Sequence, residues 1–373
     1  MNVKYDVLSS YISNYLEHKF VESNSAINFN FKSEKFITTW KHYKSESLDN
    51  GVFNILKEKL AQLNFPIQQG ISSLNEYRNA TLKGKKIKFI PLATGLILKQ
   101  PELLELSIVS GPVGEVPVLT VPNPYDFADI VRALAHKNEP VEIPATMGAS
   151  LIRGINNWDR IRSLKRDWES ESHTRSWNEF FRKNILPNKN LYQDSLIVLS
   201  KKNYSGISAD SLALNSTDWL SDSLKIRLHH EYSHYFTLRY FGGMYANIYD
   251  EILADYLGIS MTYGKYNHDL FLKFMGLENY PEYRVGARFE NYIEMNQVSP
   301  SELDFLKDLC YFSSLNIEKF DNYLGYSSDI YERIKRLLVL CKLDFKTLAS
   351  SDAIEKMITT YKNVIVSKIP SKA

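Results

Sequence analysis

The chain has 373 residues and a formal net charge of +2, so no charge excess argues for nucleic acid as a partner. Its hydrophobic content of 44% and charged content of 24% are those of an ordinary globular protein, long enough to bury a core without staples. Two cysteines, Cys310 and Cys341, are too few for a disulfide framework and lack metal-ligand spacing.

The stretch Met1–Phe20 is polar and charged, with no apolar core before a cleavage site, and no run approaches the ~18 apolar residues of a membrane span. The expectation is a soluble cytoplasmic protein. Residues 1–83 read as mostly helical. Val7, Leu8, Tyr11, Ile12, Tyr15 and Leu16 recur at helical spacing, as do Val52, Ile55, Leu56, Leu60 and Leu63. Asp49 is the expected cap of the second segment, and Pro66 follows its end. Lys83, Lys85, Lys86 and Lys88 around Gly84 read as a solvated loop. A phosphate or nucleic-acid contact is the sharper alternative, and no aromatic residue is interleaved to support it.

From Leu103 to Val109 and Val116 to Val121 the texture is that of two strands around Gly111-Pro112-Val113-Gly114. Helical spacing returns over Tyr125–His136. Residues 137–160, with two prolines, small residues and Asn156-Asn157-Trp158-Asp159-Arg160, form a shaped loop. It lines a site or serves as a turn whose Asn and Asp cap the next helix, Trp158–Glu169. Ser195–Ser200 reads as a strand, and its place before the next helix suggests an edge to which a peptide could add.

The next helix runs to about Phe241, with Ser221 or Asp222 as cap and Gly242-Gly243 as its stop. It carries His230-Glu231-Tyr232-Ser233-His234. Residues four apart share one helix face, so two imidazoles can bind one metal ion and Glu231 can reach its water. His229 points roughly 100° away and is read as packing or surface. A second helix, Asn247–Ser260, brings Glu251 and Asp255, again four apart. Glu251 is the expected third ligand, with Asp250 as the alternative. Asp255 is expected to accept a hydrogen bond from the outer nitrogen of a ligand histidine, His230 first. A third helix is predicted over Pro281–Met295. On it Tyr283, Arg284, Arg288 and Tyr292 are candidate oxyanion donors, with Tyr283 and Arg288 the ones carried forward as catalytic. Arg284 and Arg288 could share a cationic face for a substrate carboxylate. Residues 299–362 read as amphipathic helices with apolar stripes Leu303, Leu306, Leu309, Cys310 and Ile334, Leu337, Leu338, Cys341, and Phe305 at the edge of the first.

His230-Glu231-x-x-His234 followed by Glu251-x-x-Ala254-Asp255 resembles the gluzincin class of zinc metallopeptidases, over about 30 of the residues. The wider chain also resembles uncharacterised bacterial proteins that carry the same paired motif. The interval between the two motifs is short for the better-known gluzincins, which is why Asp250 stays open as a ligand. The resemblance implies an α+β fold: a predominantly helical, zincin-like catalytic core with a small β-sheet and a helical N-terminal region. The division expected is 1–185 and 186–373. It also implies Zn2+ as cofactor, held by His230, His234 and Glu251, with Glu231 as general base in the hydrolysis of a peptide or small amide. A non-peptide metal hydrolase of small-molecule biosynthesis, and an inactive zincin-fold interaction protein, are the alternatives.

Overall fold

Side-chain caps start many of the helices in the computed structural model, which describes residues 8–20, 31–171 and 176–364. Asn123, Asn157, Asn215, Asn247 and Asn267 each accept a first-turn N–H, satisfying donors that the helix leaves orphaned. The described structure is α+β and mostly helical, with one four-stranded mixed sheet. The chain divides into two units, one of residues 1–31, 111–113 and 203–373, the other of 32–110 and 114–202. Val7 lies outside the described residues.

The second unit holds the sheet. Its strands are β1 (Glu105–Gly111), β2 (Gly114–Val121), β3 (Ala149–Asn156) and β4 (Gln193–Ser200), in the order β1-β2-β4-β3. β4 pairs in parallel with β2 and antiparallel with β3. The expectation that β4 offers a free edge is therefore overturned. Both of its sides are already hydrogen-bonded, and the edges are β1 and β3. Helices Ile37–Asn50, Val52–Lys59 and Pro124–Ala135 contribute Trp40, Leu56, Phe127, Ile130 and Val131 to one core with Leu119, Leu196 and Val198 of the sheet. The helix Trp158–Glu169 lies where the sequence places it, capped by Asn157. The capping expectation for Asp49 fails, because the preceding helix runs on through Asn50 and Gly51 makes the break.

The first unit is helical. Helix Ser216–Phe241 carries the paired histidines, and helix Ile248–Tyr263 carries the acidic residues. Helices His268–Met275, Pro300–Leu324 and Ile330–Cys341 also belong to it. Ser221 and Asp222 sit inside the first of these helices, which begins a full turn earlier on Asn215. Its stop is as expected: Gly242 adopts φ +79, a left-handed geometry that costs glycine little. Both predicted apolar stripes of the C-terminal helices are buried, apart from a half-buried Leu303. The predicted helix over 281–295 does not form. Only 3-10 turns are helical there, Arg288–Tyr292 and the first residue of Met295–Gln297, and Gly286 at φ +75 breaks the segment just before them. The division also differs from 185/186, since β4 belongs with the sheet and residues 8–20 count with the helices. No helix among the described residues is long and apolar enough to cross a membrane.

Candidate metal centre

Eight consecutive residues, His230 to Thr237, are buried, so this part of the helix is enclosed on all sides rather than amphipathic. The i, i+4 spacing sets the rings of His230 and His234 4.8 Å apart by centroid, at 82° to one another. Their Nε2 atoms are 3.2 Å apart. Glu251 of the acidic helix reaches the same point. Its Oε2 lies 3.5 Å from His230 Nε2 and its Oε1 3.6 Å from His234 Nε2. A tetrahedral ion with bonds of about 2.1 Å needs donors about 3.4 Å apart, and these separations bracket that value. With one oxygen taken for Glu251, all three donors fall within 4.8 Å.

The acidic helix can come this close because it has no side chain at Gly258. A Cβ there would stand 2.8 Å from the carbonyl oxygen of Ile226 on the histidine helix. Gly258 lies seven residues beyond Glu251, about two turns, on the same face.

The outer nitrogens both face aspartates, and one of them is hydrogen-bonded. Asp255 Oδ1 accepts from His230 Nδ1 at 2.8 Å, as the spacing predicts. Asp250 Oδ2 faces His234 Nδ1 at 3.4 Å and also accepts the Tyr245 N–H at 2.6 Å. Asp250 is thus turned to the far side of His234, and it is Glu251 that faces the two Nε2 atoms. With protons on both Nδ1 atoms, both Nε2 lone pairs point inward, at each other and at a carboxylate. If neither Nε2 carries a proton, three acceptors face one another. That arrangement is repulsive by itself and is relieved by a proton on His234 or by a metal cation.

Charge supports the same fit. Glu231, Asp250, Glu251 and Asp255 are buried carboxylates, and Arg227 and Arg288 are buried guanidiniums close by. With neutral imidazoles this leaves two negative charges, which a divalent ion neutralises. Burial opposes ionisation of Glu251 and Asp255, yet the Arg288 guanidinium and the histidines outweigh it and hold both below the usual carboxylate range. Burial likewise disfavours a charged His234, but Asp250 and Glu251 prevail and hold its pKa well above the ordinary value. A metal ion would take the place of that proton.

Arg288 and Tyr204 complete the surround. Arg288 donates to Glu251 Oε2 and, at 2.8 Å, to Asp255 Oδ2. The Tyr292 hydroxyl donates to Glu251 Oε2 at 2.9 Å and accepts from Arg288 Nε at 3.0 Å. The Tyr204 hydroxyl donates to Asp255 Oδ1 at 2.5 Å and accepts from Arg288 at 3.2 Å. Burial, and then Asp255, push its pKa far up, so it stays a neutral donor. Tyr204 belongs to a 3-10 turn whose N–H bonds to Ser223 of the histidine helix.

Two expectations are corrected here. Arg288 is committed to two carboxylates, so it braces the ligand instead of waiting for an oxyanion. Tyr283 packs its ring against Phe289 at 5.8 Å and shares a hydrogen bond with Glu290, away from the three donors. Arg284 pairs with Glu278 at the surface, so no cationic face with Arg288 exists. His229 stays outside the cluster, and burial pushes its pKa down to about 4. The sequence reading missed Tyr204. Its only local signal is a turn, and the hydroxyl reaches the centre from 26 positions away.

Residues 2–352 match the family described as "Family of unknown function (DUF7005)", and the chain belongs to that family. No curated protein and no solved structure matches.

Proposed function

We propose that this member of the DUF7005 family is a zinc-dependent hydrolase that cleaves a peptide or small amide bond. The observation that carries the reading is the convergence of His230 Nε2, His234 Nε2 and Glu251 at 3.2–3.6 Å, with aspartates behind both imidazoles. His230, His234 and Glu251 would hold the ion, leaving a fourth position for water or substrate. Bound there, zinc supplies Lewis acidity and a water that ionises near neutral pH.

The chain's own groups have separate tasks. Asp255 and Asp250 keep protons on the outer nitrogens, so the inner lone pairs stay available. Arg288 and Tyr292 both hold Glu251 Oε2, which leaves Oε1 turned to His234. Glu231, buried and next to His230, accepts a proton on its carboxylate from the attacking water and returns it to the leaving nitrogen.

The test is metal content together with turnover. The wild-type chain, dialysed against zinc and then washed, retains one ion per chain. Glu231→Gln keeps that ion and loses hydrolysis of a peptide and amide library by about 100-fold or more, whereas His230→Ala loses both. A wild-type chain without zinc affinity, or a Glu231→Gln variant with full activity, overturns the assignment.

A further inference from the structure

The lysine-rich loop that the metal centre leaves unused has a wall in the structure that its sequence does not show. A cavity of about 230 Å³ opens in the sheet-bearing unit, lined by Lys85, Lys86 and Lys88 with Lys59, Arg162 and Trp158, and by one carboxylate, Glu58. The loop is fixed in place. Trp158 Nε1 donates to the Thr81 carbonyl at 2.8 Å, and Asn156 donates to the same oxygen at 3.1 Å. Gly84 lies so close to the indole that a Cβ would stand 2.6 Å from the ring. Lys59 is paired with Glu46 and Glu58, and Arg162 with Asp159. The Nζ atoms of Lys85, Lys86 and Lys88 have no carboxylate partner among the described residues. Three unpaired cations on a braced loop around a concave space concentrate positive potential where an anion can enter. The space is smaller than the roughly 300 Å³ at which drug-sized ligand pockets begin. It therefore suits a compact, multiply charged anion rather than a whole nucleotide or a nucleic-acid strand.

We infer that this cleft, formed by Lys85, Lys86 and Lys88 against Trp158, is a binding site for a small di- or polyphosphate group. It is independent of the metal centre, so either reading can fail alone.

The probe is inorganic pyrophosphate, titrated calorimetrically into the full chain at physiological salt while zinc content is monitored. Saturable binding of one pyrophosphate per chain is expected. The triple variant Lys85→Gln, Lys86→Gln, Lys88→Gln weakens it by about tenfold or more, with zinc content unchanged. Lys346→Gln, in the helical unit, leaves it unchanged. Trp158→Phe, which removes the bond to Thr81 and keeps every cation, weakens it by a smaller factor. Three results overturn the inference: no saturable binding, binding that survives in the triple variant (as it would if pyrophosphate acted on the metal), or binding of a single-stranded oligonucleotide but not of pyrophosphate.

Discussion

Among the described residues of the helical unit, two buried ion networks end differently. Asp321 accepts from Tyr256, Arg333 and Arg336 on one oxygen and from the Tyr266 N–H on the other. The two arginines spend their remaining donors on Ser327, Gly264, Glu332, Gly325 and Leu324. Every charge there is met, and the network closes on itself. Around His230 and His234 the outer atoms face Asp255, in a hydrogen bond, and Asp250, at 3.4 Å, but the inner ones face one another. A closed network serves the fold. An open one, whose converging nitrogens and carboxylate need a proton or an ion between them, is the candidate place for a ligand.

The contrast can be broken most sharply from the closed side. Asp321→Ala leaves two guanidiniums buried without their carboxylate and should cost about 3–5 kcal/mol of unfolding free energy in urea. Zinc bound per folded chain should not change. Next in size is the response to metal. Zinc at about 1,000 times its Kd should stabilise the wild type by about 4 kcal/mol. Asp321→Ala should show the same increment and His230→Ala none. If His230→Ala gains as much as the wild type, the open network is not where the ion binds. A third effect concerns the aspartate behind His234. Asp250→Asn should weaken zinc binding about 10- to 100-fold in competition with a chelator, because it takes a charge from the imidazole's outer bond.

Two tyrosines give a finer comparison. Tyr256→Phe and Tyr204→Phe should each cost about 1 kcal/mol of stability, the ordinary worth of one buried hydrogen bond. Only Tyr204→Phe should also shift zinc affinity. The smallest effect lies outside both networks. Glu302 closes a capping box with Ser299 and accepts the Ser9 N–H, and these bonds bring its pKa down to about 2. A carboxylate depressed on folding adds stability above its unfolded value and loses it as pH falls. The gap between wild type and Glu302→Gln should thus be full above about pH 5 and shrink as pH falls toward 2.

What the sequence made legible is what helical spacing controls. His230 with His234, and Glu251 with Asp255, are four-residue intervals on helices, so both pairs and the Asp255–His230 bond follow from the spacing alone, wherever each helix begins. Arg288 was placed by the same rule and misassigned. The rule presumes a helix, and Gly286 prevents one there. The β4 edge failed for a different reason. Strand order depends on which distant strand arrives on each side, and neither β2 nor β3 announces that locally. Tyr204 had no pattern at all, since a single residue in a turn carries no period. Asp250, open in the sequence as the alternative to Glu251, faces the other nitrogen of His234. Adjacent residues on a helix diverge by ~100°, so Asp250 and Glu251 end on opposite sides of the same imidazole.

Gly258 touches none of these ligands, yet it acts as the gauge of the whole centre. The distance between the two helices is set where a hydrogen atom stands against the Ile226 carbonyl. Glu251 rides on the same rigid rod two turns away. A methyl group at 258 would push the rod outward by some tenths of an ångström, and the carboxylate would retreat with it. That is about the difference between a zinc–oxygen bond and a calcium–oxygen bond. Were an ion to sit among the three donors, its calibre would be written into a missing side chain.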